Sequence, residues 1–220
     1  MNTNSLISND LPTLSFEDSG ERALLLMNEY RVFHLPLVHR DDYIALVSED
    51  DLLDWDTPEE PLSLAEFLTF RPAINEKTHA LQAMKIVKEF NLSVLPVLNE
   101  QNHYMGMITT EGLLTFVADN NAVTEPGAII VLEMEQKDYA MSEIARICES
   151  NDVTILCSFV KTTNESGLQL VTLKTNKTDV QALVATFERY NYNVVNVFAS
   201  EYFKENLREN FDRLMHYLNV

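Results

Sequence analysis

His34-Leu35-Pro36-Leu37-Val38 and Val94-Leu95-Pro96-Val97-Leu98 are two short apolar runs, each carrying one proline at the same place, sixty residues apart. Working outward, laying Leu11 to Val38 over Arg71 to Leu98 pairs Pro12 with Pro72, Ala23 with Ala83, Glu29 with Glu89, Leu35 with Leu95 and Pro36 with Pro96. Other positions keep their apolar character: Leu14 with Ile74, Leu24 with Met84, Leu26 with Ile86, Met27 with Val87 and Tyr30 with Phe90. They recur at three- and four-residue steps, the stripe of an amphipathic helix. Beyond the second proline the offset becomes 61, so that Ala45-Leu46-Val47-Ser48 meets Gly106-Met107-Ile108-Thr109 and Leu52-Leu53 meets Leu113-Leu114.

Each copy therefore predicts a short strand at Pro-x-h, a helix, a strand through Leu-Pro-h-h, a turn, a strand and a second helix. One such unit is small to form a core alone, so two copies are expected to bury their sheets against each other. Trp55-Asp56-Thr57-Pro58-Glu59-Glu60-Pro61 reads as the linker between them, and Ser63-Leu64-Ala65-Glu66 has the form of a capping box opening a helix.

The 220 residues are 46% hydrophobic and 23% charged, which excludes disorder, collagen-like repeats and a coiled-coil rod. The net charge of -18 repels phosphate backbones, so nucleic acid and anionic lipid are poor partners. The charge is uneven: net -14 through Glu125 and -4 from Pro126 onward. Between Asp41 and Glu60 nine acids occur without a Lys or Arg, reading either as a solvated face or as a cation-attracting rim. The opening residues have no signal-peptide pattern and no apolar run reaches bilayer length, so the expected location is cytoplasmic, away from membranes. Cys148 and Cys157 lack CxxC spacing and read as small buried hydrophobes, and the histidines show no metal-ligand spacing, so no metal is expected.

The duplicated unit resembles a tandem pair of CBS (cystathionine beta-synthase) domains, a Bateman module, on the strength of the two Leu-Pro runs and the segments ending Ser48-x-x-Asp51 and Thr109-x-x-Gly112. The resemblance implies a regulatory module that binds an adenosine compound: AMP, ATP or S-adenosylmethionine. In that family a hydroxyl and a carboxylate at a helix start hold ribose hydroxyls or a phosphate. Backbone donors there attract anions and an aspartate accepts both ribose O–H groups. The positions so implied are Ser48, Asp51, His34, Leu35, Pro36 and Thr109. The first copy has Ala45 where glycine is usual, and the second has Gly112 where the carboxylate stands, so one site is expected rather than two. An ordinary helix cap explains Ser48 and Asp51 equally well. The acids of Asp41 to Glu60 oppose a free triphosphate more than AMP, a nucleoside or a sulfonium ligand.

From Gly127 the pattern changes to strand, helix, two strands, helix, strand. Ala128 to Glu135 is the first strand and Ser142 to Cys148 a helix; Thr154 to Thr162 and Gly167 to Lys174 form a hairpin around Asn164-Glu165-Ser166-Gly167. Thr178-Asp179-Val180-Gln181 reads as a capping box before a helix with Leu183, Val184, Phe187 and Tyr190 on its buried stripe, and Asn193 to Phe198 closes the sheet. This predicts a ferredoxin-like βαββαβ layer and resembles an ACT domain, a regulatory fold that commonly binds amino acids at dimer interfaces. The glycine turn of that family is replaced by Lys137-Asp138-Tyr139-Ala140-Met141-Ser142, which favours pairing or docking over amino-acid binding. Glu201 to Val220 predicts a terminal helix with Phe203, Leu207, Phe211, Leu214 and Leu218 on one side.

The expected fold class is thus α/β and α+β: CBS copies at 1–60 and 61–121, a linker at 122–126, an ACT-like domain at 127–200 and a helix at 201–220. The order resembles acetoin-utilisation-type CBS-ACT proteins. The expected function is a non-catalytic, homodimeric sensor of an adenosine-type ligand acting on a protein target; the alternative is a structural adaptor whose CBS pair holds no ligand. No Gly-rich phosphate loop, GxSxG or HExxH motif supports catalysis.

Overall fold

The computed structural model describes residues 3–163 and 167–199. The expected terminal helix at 201–220 and the turn residues Asn164 to Ser166 lie outside the described residues. The chain divides into two compact units, Met1–Val117 and Ala118–Val220.

In the first unit the order is α1 (Gly20–Tyr30), β1 (His34–His39), β2 (Asp42–Ser48), α2 (Glu49–Leu53), β3 (Ile74–Asn75), α3 (Ala80–Phe90), β4 (Val94–Leu98), β5 (Tyr104–Thr109) and α4 (Thr110–Asn120), the end of which runs into the second unit. The duplication is visible bond by bond. β1 pairs antiparallel with β2 so that His34 faces Ser48 and Leu35 faces Val47, while β4 pairs with β5 so that Val94 faces Thr109 and Leu95 faces Ile108. Both ladders shift register at equivalent points, between Leu37 and Val38 and between Val97 and Leu98. The strand at Pro-x-h is a single parallel bridge, Leu14 to Leu37, in the first copy and β3, Ile74 to Val97, in the second.

The copies exchange their leading segments. Ser8 N–H donates to the Met107 carbonyl at 2.8 Å, and Leu46 N–H donates to the Phe70 carbonyl at 2.9 Å, so the chain before each copy lies on the other copy's second strand. One apolar cluster unites them: Leu35, Leu37, Leu95 and Val97 are all fully buried within it. This is why neither Leu-Pro run works alone, since each supplies half of a common core. On the helices, Ala23 and Ala83 are fully buried as the stripe requires, but Tyr30 and Phe90, also expected in it, are 42% and 48% exposed, sitting at the last helical positions where the chain turns away.

The helix expected from Ser63-Leu64-Ala65-Glu66 does not form. A three-residue 3-10 turn, Leu62–Leu64, stands there, because Leu62 is fully buried and the N–H groups of Leu62 and Ser63 donate to the Asp18 and Phe16 carbonyls, after which Ala65 is extended. The real capping box of the second copy is at α3: Leu81 N–H donates to His79 Nδ1 and His79 N–H to Gln82 Oε1, each at 3.2 Å.

The second unit carries β6 (Ile129–Glu135), α5 (Met141–Ser150), β7 (Ile155–Thr162), β8 (Leu168–Thr175), α6 (Gln181–Arg189) and β9 (Asn193–Phe198). The sheet order is β7-β8-β6-β9 with every neighbour antiparallel, the ferredoxin-like arrangement that two split β-α-β units produce. Ile130, Leu132, Val171 and Leu173 point to the helices and pack with Ile144, Ile147, Leu183 and Phe187. The capping box expected at Thr178-Asp179-Val180-Gln181 is absent. Val180, buried at the N-cap position, offers no side-chain acceptor, and Asp179 Oδ1 takes the Gln181 N–H at 3.2 Å instead. Cys148 is buried as expected, with its thiol pushed up to about 11 by burial, whereas Cys157 is only half-buried and its Sγ lies 3.0 Å from Asn121 Oδ1. Among the described residues no helix is long and apolar enough to cross a membrane.

Candidate functional site

Three of the residues singled out in the sequence meet at one end of the first unit. Ser48 is the last residue of β2 and the N-cap of α2, with extended backbone (φ -100°, ψ 156°). Its Oγ accepts the Asp51 N–H at 3.1 Å and its hydroxyl donates to Asp51 Oδ2 at 2.6 Å, a half-buried hydroxyl–carboxylate pair at the head of the helix. His34, the first residue of β1, stands opposite Ser48 in the ladder. Leu35 and Pro36, next in the strand, are buried in the core beneath, so they shape the strand end rather than present polar groups.

His34 reaches across to the second copy. Ser93 N–H donates to His34 Nδ1 at 3.3 Å, the ring nitrogen acting as acceptor, and Ser93 Oγ lies 3.2 Å from the same nitrogen. Burial holds the imidazole below its ordinary value of 6.5, against the opposing pull of Asp50 and Asp51. Both acids therefore lie within electrostatic reach of the ring.

Thr109, the counterpart of Ser48, caps α4 by accepting the Gly112 N–H at 2.9 Å. It lines a cavity of about 480 Å³ together with Leu11, Tyr30, Arg31, Phe33, Ser93 and Glu111, among others. The volume is in the range that takes a small-molecule ligand. Ser48 and Asp51 do not line this cavity, so the described geometry separates the hydroxyl–carboxylate pair from the Thr109 pocket. Gly112 leaves the second helix start without a counterpart of the Asp51 carboxylate, and a Cβ there would meet only Thr109 Oγ1, at 3.2 Å.

Gly106 has a different reason for being glycine. Its φ is +142°, and a Cβ would come within 2.5 Å of Asn9 Oδ1 and Ile7 Cγ2, so the leading segment lies directly on it. Ala45, its counterpart, is fully buried with its methyl accommodated. Sequence reading passed over Phe33 and Ser93, yet they are paired at the sixty-residue offset, and that pairing was the available signal. Among the described residues no three His, Cys, Asp or Glu side chains are grouped to hold a metal ion. A second cavity, of about 560 Å³, lies in the other unit between β6 and the start of α5, lined by Glu133, Lys137, Asp138, Glu143, Tyr190 and Tyr192, among others.

The duplicated ladders, the exchanged leading segments and the hydroxyl at each second-helix start define a paired module built from one repeated unit. Residues 4–57 and 65–119 each match the CBS domain family model, and the chain carries a tandem pair of CBS domains. Among curated proteins it is similar to homoserine O-acetyltransferase of Methanocorpusculum labreanum, 26% identical over 118 residues, which are 51% of this chain and 23% of that enzyme. The chain thus matches less than a quarter of that relative, and the likeness is confined to the CBS region. Among solved structures it resembles a CBS domain pair/ACT domain protein from Thermotoga maritima (19% identity, TM-score 0.47, covering 54% of this chain and 98% of that one). It also resembles CBSX2, solved in complex with AMP (20% identity, TM-score 0.47, covering 54% and 96%).

Proposed function

We propose that this chain is a non-catalytic regulatory protein whose CBS pair, at 1–60 and 61–121, senses an adenosine-type ligand: AMP, ATP or S-adenosylmethionine. The observation that carries the reading is the half-buried Ser48–Asp51 pair at a helix start, with His34 opposite it in the ladder. A carboxylate placed so accepts two ribose hydroxyls, and the hydroxyl that now donates to it is free to turn toward the ligand. Thr109 and the cavity beside it offer a second polar surface at the other helix start. The ferredoxin-like layer at 127–200 serves in this reading as an ACT-like output domain in a cytoplasmic homodimer, relaying ligand state to a protein target. Relay requires the ligand to bind two arrangements with different affinity.

A second reading, a ligand-free structural adaptor, draws on one observation: Ser48 and Asp51 already satisfy each other at 2.6 Å, as an ordinary cap would. Melting curves with AMP, ATP and S-adenosylmethionine up to millimolar concentration separate the two. A sensor melts higher as ligand passes its dissociation constant, by mass action on the native state, and Asp51→Ala abolishes the rise. A flat response with all three ligands leaves the adaptor.

A further inference from the structure

Around Ser93 the two copies are joined by a closed set of hydrogen bonds that the ligand chemistry does not require. Phe33 N–H donates to Ser93 Oγ at 3.0 Å, and Ser93 N–H donates to His34 Nδ1 at 3.3 Å. Ser93 Oγ also lies 3.2 Å from the same ring nitrogen. Each partner also holds the start of a helix. Glu49 N–H, first in α2, donates to the Phe33 carbonyl at 2.9 Å, and Thr110 N–H, first in α4, donates to the Ser93 carbonyl at 3.0 Å. The Thr110 hydroxyl adds bonds to the Leu92 and Ser93 carbonyls, each at 3.0 Å. An unbroken path of bonds therefore runs from one helix start to the other through Phe33 and Ser93, with His34 bonded to Ser93 beside it.

We propose that Phe33, His34 and Ser93 form a proton-sensitive clasp that couples the helix starts of the two copies, tight when His34 is neutral and loosened when it is protonated. The Ser93 N–H contact needs an unshared electron pair on Nδ1. A proton on that nitrogen turns an acceptor into a donor facing the Ser93 N–H, so that bond is lost, while the Phe33–Ser93 bond stays and the ring turns to donate to Ser93 Oγ. Asp50 and Asp51 of α2 are the charged groups that pull the ring toward protonation, and burial opposes them. From the other elements, Arg31 after α1 and Glu111 of α4 line the cavity that Phe33 and Ser93 also line. Because Ser48 and Asp51 sit on the α2 start, the clasp gives occupancy in one copy a route to the other; this last step rests on the proposed ligand reading, and the clasp itself does not.

The sign follows from the lowered folded-state value. The unfolded histidine titrates near 6.5, so the clasp is intact above that pH and its contribution is lost as pH falls from there through the folded-state value. The test is an NMR titration of the full chain from pH 8 to 5 without ligand. His34 is expected to titrate below 6.5, with the Ser93 and Thr110 amides shifting at the same midpoint. In a parallel measurement His34→Gln flattens the fall in melting temperature between pH 7 and 5. A His34 midpoint at or above 6.5 in the native chain, or Ser93 and Thr110 amides that ignore it, overturns the clasp. These outcomes stand apart from the ligand reading, whose failure shows only in the melting curves with added nucleotide.

Discussion

The two copies of the repeat share a scaffold and differ in what stands on it. Leu52 and Leu113, the fourth residues of equivalent helices, are 1% and 4% exposed, and the next residues, Leu53 and Leu114, are 65% and 68% exposed. The backbone thus presents the same faces in both. Yet α2 is five residues long and begins Ser48-x-x-Asp51, while α4 is eleven and begins Thr109-x-x-Gly112. Gly106 admits the leading segment where Ala45 does not need to, and Tyr43 donates its hydroxyl to the Pro72 carbonyl at 3.0 Å while the buried Tyr104 hydroxyl has no partner among the described residues. Duplication preserved the groups that make the common core and let the groups at its ends diverge, because a core position answers to both copies at once and an end position to one.

The sharpest way to break the equivalence of the copies is in the core. Leu52→Ala and Leu113→Ala should each cost roughly 2–5 kcal/mol in urea unfolding, while Leu53→Ala and Leu114→Ala should stay within about 0.5 kcal/mol. A large loss at Leu53 or Leu114 would mean that these side chains are covered by something other than this chain's first unit. Next in size is the glycine asymmetry. Gly106→Ala forces a Cβ against Ile7 and Asn9 at a φ unsuited to it and is expected to lose about 1–3 kcal/mol, against about 0.5–1 kcal/mol for Ala45→Gly, which loosens the chain without a clash. Equal effects would show that the leading segment does not rest on Gly106.

The smallest expected difference separates the two tyrosines. Tyr43→Phe strands the Pro72 carbonyl and should cost about 1 kcal/mol, whereas Tyr104→Phe removes an unsatisfied hydroxyl and should be neutral or slightly stabilising in the same unfolding assay. Burial pushes both phenols above their ordinary range, so neither ionises near neutrality and the comparison holds without a pH correction.

Much of this architecture was legible beforehand, for identifiable reasons. The sixty-residue offset, and its change to 61 after the second proline, reappear as the pairings of His34 with Ser48 and Val94 with Thr109, since side-chain periodicity and strand register are the same constraint seen twice. The βαββαβ order also emerged from local pattern. Local pattern misled where a short motif competed with tertiary anchoring. Ser63-Leu64-Ala65-Glu66 has the letters of a capping box, but a buried Leu62 and two backbone bonds to Phe16 and Asp18 hold the segment in another course. Tyr30 and Phe90 fit the apolar stripe yet lie at helix ends, where burial stops before the pattern does.

The sequence by itself determined the duplication, the strand and helix order, the helix-start hydroxyls and the missing carboxylate at Gly112, because all of these are properties of spacing and residue type along one chain. Only the tertiary structure decided that Ser48 and Asp51 bond to each other, that the cavity of about 480 Å³ opens beside Thr109 rather than beside them, and that His34 faces Ser93 across the copies. Those facts depend on which residues distant in the chain share a surface, and that is set by the burial of a core no single repeat can fill.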